Sequence, residues 1–215
     1  MTILLLHAFP LDEGMWDGQR GVLAGHEVVA PRLYGRGRTM AAWAESVAGE
    51  VDGDLTVVGC SMGGYCALAL ARHAPERVRA LMLVGARPDA DSPERRAGRA
   101  DTIELIRREG ADGLWQTMLP KLVADPGVLD KSLLHRDADG LIAAVEAIRD
   151  RPDSTEVVGS FEGRLQFVVG EHEAFVTADE LSEFPVVEVA GSGHLVNLER
   201  PAEFNAILRE FLARG

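Results

Sequence analysis

The chain has 215 residues, 47% of them apolar and 26% charged, with a formal net charge of −12. That is enough apolar material for one buried core, and the acidity excludes functions built on a basic surface, such as holding nucleic acid or an anionic membrane. No apolar run approaches a membrane span, and the first residues carry neither a basic flank nor a small-residue cleavage site, so a cytoplasmic chain is expected.

Residues 3–6 (Ile-Leu-Leu-Leu) form the first expected strand, followed by the loop His7-Ala8-Phe9-Pro10. The second strand covers residues 27–30. A helix follows over 40–51, where Trp43, Val47 and Val51 recur at fourfold spacing on one buried face. The third strand, 55–58, leads into Gly59-Cys60-Ser61-Met62-Gly63-Gly64, and a helix runs over 64–73.

Glycine two residues before and two after a serine, between an apolar strand and a helix, is a nucleophile elbow. The turn is so tight that a Cβ at either glycine would collide as strand and helix approach. It pushes the Ser61 hydroxyl above the sheet edge and leaves the Met62 N–H at a helix N-terminus, aimed at a developing oxyanion. The Phe9 N–H, from the loop after the first strand, is the expected second donor. His7 precedes that loop and is expected to anchor it by hydrogen bonds rather than to act chemically. Cys60 is not in the nucleophile's frame, because Val58 and Met62 fill the glycine positions.

The fourth strand covers 80–84. Residues 87–160 lack strand patterns and read as helices over 93–109, 111–119 and 138–149. Inserted between the fourth and fifth strands, this segment is expected to form a helical lid over Ser61, with 1–86 and 161–215 as the core. Trp115, Met118 and Leu119 are candidates for lining the substrate pocket, or for packing the lid on the core. Arg87, Arg95, Arg96 and Arg99 cluster at its start. They read as a solvated face, or one of them as the partner of a substrate carboxylate.

The fifth strand, 165–169, ends in Gly170-Glu171-His172-Glu173, and the sixth, 186–189, runs into Gly191-Ser192-Gly193-His194 before a helix over 202–213. Of the six histidines (His7, His26, His73, His135, His172 and His194), only His194 follows a late strand on a glycine-rich loop. That places it at the sheet edge where Ser61 lies and where chemistry collects in open parallel sheets. It is the expected base. Glu173, three residues past Gly170, is the expected acid that orients it. Glu171 and, after the fourth strand, Asp89 and Asp91 remain alternatives. The order Ser61, Glu173, His194 fits a triad of this architecture.

These motifs resemble the α/β-hydrolase superfamily across nearly the whole chain. Leu4-Leu5-Leu6-His7-Ala8-Phe9-Pro10 is close to the family's His-Gly-x-Pro. Residues 31–38 (Pro-Arg-Leu-Tyr-Gly-Arg-Gly-Arg) are similar to its Asp-x-x-Gly-x-Gly-x-Ser loop. Within the superfamily the chain looks most like small bacterial esterases and enol-lactonase-type hydrolases. Ala8 stands where the family has Gly, Arg32 where it often has Asp, and Glu173 where Asp is commoner. The two antiparallel strands that usually open the fold have no counterpart before residue 3.

The expectation is therefore an α/β, doubly wound sheet of about six strands, mostly or wholly parallel. The resemblance implies a serine hydrolase of small carboxylic esters or lactones, working without metal or organic cofactor. Perhydrolase or haloperoxidase-like, C–C hydrolase and lyase chemistry are alternatives on the same triad, and a non-catalytic ligand receptor is an alternative of another class. Cys60 and Cys66 are expected as reduced thiols. An exposed parallel edge leaves monomer or homodimer open.

Overall fold

The computed structural model describes residues 1–213; the last two residues of the expected core lie outside them. Six strands form one sheet: β1 (Thr2–Leu6), β2 (Glu27–Val29), β3 (Leu55–Cys60), β4 (Val78–Val84), β5 (Arg164–Gly170) and β6 (Val186–Val189). Their order is β2-β1-β3-β4-β5-β6, and every pairing is parallel. Every residue of β1 and β3 is buried, as continuous apolar runs require when helices cover both faces. β4 starts earlier than its apolar run predicts, because Val78 pairs with Leu55 although the exposed Arg79 interrupts the pattern.

The first helix, α1 (Met40–Ala48), begins where the Thr39 hydroxyl accepts from the Ala42 N–H at 3.2 Å. It stops three residues before the expected end, at the Gly49 cap, yet Val51 remains buried as predicted. α2 (Met62–His73) packs against α1. The chain closes with α6 (Val196–Glu199) and α7 (Pro201–Ala213), which pack on the short 3-10 turn Glu13–Gln19, with Trp16 beside Phe204. The chain steps one way from β1 to β2 and the other way from β2 to β3. With right-handed crossovers, that reversal puts these two helical layers on opposite faces. The sheet is doubly wound, as expected.

Between β4 and β5 lie α3 (Pro93–Leu122), α4 (Ala138–Arg149) and α5 (Thr155–Gly159). The two helices predicted over 93–109 and 111–119 are the halves of α3, broken at Gly110, whose φ of +67° no helix accommodates. α3 and α4 pack on one another. An ionic cluster ties their base to the loop after β4. The fully buried Asp91 carboxylate accepts from Arg151 Nη1 at 2.6 Å and Arg99 Nε at 3.0 Å, and lies 3.3 Å from Arg95 Nε. Burial raises the Asp91 pKa, but Arg151 and Arg99 outweigh it and hold the carboxyl below its ordinary value. The Arg151 guanidinium also lies over the Tyr65 ring, 4.0 Å from its centroid.

Asp91→Asn keeps the shape and removes the charge, leaving the buried Arg151 uncompensated. Breaking such a cluster costs about 3–5 kcal/mol, so the urea midpoint of the variant should drop accordingly at pH 7. A variant as stable as the parent would show that the cluster contributes nothing.

Candidate active site

Ser61 sits between β3 and α2 with φ +52° and ψ −111°, the only non-glycine residue with positive φ among the described residues. Its N–H donates to the Val84 carbonyl at 2.7 Å, and its own carbonyl accepts from the Tyr65 N–H at 3.1 Å. The bend is enforced by contact. A Cβ on Gly63 would fall inside the van der Waals radius of the Leu6 carbonyl, and one on Gly59 would strike the Gly63 carbonyl. The backbone therefore leaves Ser61 as the only side chain at the apex.

His194 is 2% exposed, and its Nδ1 lies 2.8 and 2.7 Å from the two Glu173 carboxylate oxygens. A carboxylate only accepts, so Nδ1 carries a hydrogen, which in the neutral ring puts the lone pair on Nε2. The Phe175 N–H donates to Glu173 Oε1 at 3.0 Å, and the Phe175 ring meets the imidazole edge-on at 4.6 Å. Gly85 makes room for the pair. Its φ is +55°, and a Cβ there would lie 2.7 Å from His194 Nδ1 and 2.9 Å from Glu173 Oε2. The alternative acids are engaged elsewhere. Glu171 accepts from the Gly191 N–H at 2.8 Å, Asp89 pairs with Arg87 and Arg95, and Asp91 belongs to the arginine cluster.

One residue that the motif reading missed holds the histidine loop. The buried Glu199 carboxylate accepts from the Gly193 N–H at 2.6 Å and from the Ala124 N–H at 2.7 Å, fastening the loop to the end of α3. The Leu195 N–H donates to the Leu122 carbonyl at 3.0 Å. The only sequence signal was a carboxylate five residues beyond His194, just before Pro201.

The loop after β1 is anchored on every side. His7 Nδ1–H donates to the Ala8 carbonyl at 3.2 Å, while His7 Nε2 accepts from the Leu33 N–H at 3.0 Å. The Tyr34 hydroxyl donates to the Leu11 carbonyl at 3.1 Å, and the His135 N–H to the Pro10 carbonyl at 3.0 Å. Arg32, in the family's Asp position, makes a two-pronged ion pair with Glu13 at 3.1 and 2.9 Å. Neither the Phe9 N–H nor the Met62 N–H has a protein acceptor among the described residues. Burial lowers the His7 pKa to about 4 despite its bond to Ala8, so the anchor is a neutral imidazole.

Ser61 and His194 line one small cavity of about 20 Å³, together with Phe9, Tyr65, Arg99, Met118, Ile148 and Phe175. Of the three pocket candidates, Met118 is on its wall. Trp115 and Leu119 are not: Trp115 is buried in the core and Leu119 packs against it. Both pack α3 onto the core, the other expectation for them. Cys60 and Cys66 are free and buried, and burial pushes both thiols up, Cys66 to about 12. Among the described residues no group of His, Cys, Asp and Glu is arranged to hold a metal ion, and no helix is long and apolar enough to cross a membrane.

The model of the alpha/beta hydrolase family matches residues 3–207. The chain belongs to that family. An esterase from Thermogutta terrifontis, solved with malate bound, superposes with a TM-score of 0.91 at 32% identity, over 100% of this chain and 90% of that one. The enol-lactonase from Burkholderia xenovorans shares the fold, with a TM-score of 0.85 at 24% identity over 99% and 91% of the two chains. Among curated relatives, the pimeloyl-[acyl-carrier protein] methyl ester esterase of Aromatoleum aromaticum is 38% identical over 40% of this chain but only 37% of its own length. The protein of the same name from Neisseria meningitidis is 26% identical over 99% of this chain and 93% of its own.

Two tests follow from the geometry. Gly85→Ala should drive Glu173 and His194 apart, lowering turnover of an activated ester at least about 100-fold while far-UV circular dichroism stays native. His7 gives a pH signature. Its folded pKa lies below the ordinary 6.5, so between pH 6.5 and about 4 only the unfolded chain takes up the proton. Stability should therefore fall by about 3 kcal/mol as pH drops through that window. Urea unfolding of the parent and of His7→Gln, at pH 7 and 4.5, should show this part of the slope missing in the variant.

Proposed function

We propose that this protein is a serine hydrolase of small carboxylic esters or lactones, acting through an acyl-enzyme on Ser61. One observation carries the reading. A histidine held in a single tautomer by a buried carboxylate shares a cavity with a serine on a strained bend. Relatives named esterase and enol-lactonase support the class of reaction.

In this mechanism His194 Nε2 takes the Ser61 proton as Oγ attacks the carbonyl carbon. The oxyanion accepts from the Phe9 and Met62 N–H groups, each worth about 3 kcal/mol in comparable sites. The tetrahedral adduct collapses, and His194 returns the proton to the departing alkoxide, releasing the alcohol. Water then attacks the acyl group with His194 as base, and the acid leaves with Ser61 restored. Glu173 holds the ring and stabilises its cation throughout. Residues 87–160 act as the lid: Met118 and Ile148 present apolar surface to the substrate and exclude water.

A fluorophosphonate probe and p-nitrophenyl acetate test this together. The parent should be labelled at Ser61 and should turn the ester over. Ser61→Ala should do neither. Glu173→Gln should fold normally and lose about three to four orders of magnitude in kcat, whereas Asp89→Asn should not. Labelling without turnover of any ester or lactone would point to lyase or C–C chemistry. Absence of labelling would favour a ligand receptor.

A further inference from the structure

We propose that the substrate carries a free carboxylate beside its ester, and that Arg99 is the residue that selects it. This rests on the hydrolase reading and names the substrate class of the same site.

Among the described residues, Arg99 is the only arginine or lysine on the walls of the Ser61 cavity, which are otherwise built from Phe9, Met118, Ile148 and Phe175 with Tyr65 and His194. Its attachment leaves half of the guanidinium available. Nε donates to Asp91 Oδ2 at 3.0 Å, and neither Nη donates to a protein acceptor among the described residues. A guanidinium fixed at Nε presents both Nη groups as a rigid, permanently charged end, suited to a carboxylate.

The other three arginines of the sequence cluster are committed elsewhere. Arg87 bonds to Asp89, Glu180 and the Phe175 carbonyl. Arg95 bonds to Asp89 and the Ala90 carbonyl, and Arg96 to Asp150 and the Arg149 carbonyl. None of the three lines the cavity.

Charge balance points the same way. Four guanidinium groups (Arg87, Arg95, Arg99 and Arg151) share three carboxylates (Asp89, Asp91 and Glu180), and Asp91 alone serves Arg95, Arg99 and Arg151. The cluster is therefore short of anions, and Arg99 is its member at the cavity. In a chain of net charge −12, the overall field disfavours an anionic substrate. The Glu173 carboxylate is engaged by His194, so the free Nη groups of Arg99 are the positive end that a carboxylate on the substrate can meet. The ligand class is a small ester with a second, ionised carboxyl, either a half-ester of a dicarboxylic acid or an acylated hydroxy acid.

The experiment compares matched pairs on the purified full chain. Monomethyl adipate is set against dimethyl adipate, and 3-acetoxypropanoate against its methyl ester, separating a carboxylate on the acyl side from one on the alcohol side. The parent should favour the charged member of at least one pair by tenfold or more in kcat/KM. Arg99→Gln should collapse that ratio to about one, through KM for the charged ester. Arg99→Lys, which keeps the charge, should retain part of the preference. Arg96→Gln, directed away from the cavity, should leave the ratio where it was. A parent without preference overturns the inference, as does an Arg99→Gln variant that weakens charged and neutral esters equally. Hydrolysis of neutral esters that depends on Ser61, without preference for charge, defeats this inference alone. Failure to turn over any ester defeats the hydrolase reading beneath it.

Discussion

Backbone contact between Gly63 and the end of β1 is the constraint from which the site is built. α2 can approach that closely only without a side chain at residue 63, and the chain must then turn between Cys60 and Met62 in a conformation foreign to L-residues. Holding Ser61 at φ +52° costs about 1–3 kcal/mol, offset by the packing of β3 and α2 on either side. The strain is local and its product is specific: one hydroxyl raised above the sheet, and one N–H left unpaired at the start of a helix.

The remaining parts converge because the sheet is parallel. Every strand delivers its following loop to the same edge, so β1, β3, β5 and β6 bring the 7–11 loop, the serine, the glutamate and the histidine together. Each loop is then fixed by a different bond. A neutral His7 holds the first, the Glu173 carboxylate holds the imidazole, and Glu199 straps the histidine loop to α3. The two buried carboxylates near His194 thus divide the labour. One faces the ring, and the other faces only backbone N–H groups.

How much of this could be read from residues alone depended on the range of the interaction. Buried parallel strands are apolar runs, so all six were legible, with an error where the charged Arg79 sits inside β4 and shifts of one or two residues at other strand ends. The elbow was legible because its steric demand falls on residues within three positions of each other. The helix break at Gly110 was readable in place, whereas the end of α1 at Gly49 was set three residues too late. Glu199, Tyr65, Ile148 and Phe175 were not readable as neighbours of the site, since nothing in their local pattern records which distant surface they meet. Likewise four arginines close together gave no means of choosing Arg99, because the choice depends on which carboxylates the folded chain brings to the other three.

The size of the space above Ser61 has its own consequence. A volume of about 20 Å³ holds little more than one water molecule, so the walls fit closely over the serine. A larger guest would press on those walls. Met118, with its flexible thioether chain, is the wall residue best able to yield, because the half of α3 that carries it is held by the buried Leu114, Trp115 and Leu122 and by the bond from Leu195 to Leu122. On the proposed hydrolase reading, substrate entry would then depend on how readily that one side chain changes rotamer, and not on the nucleophile alone.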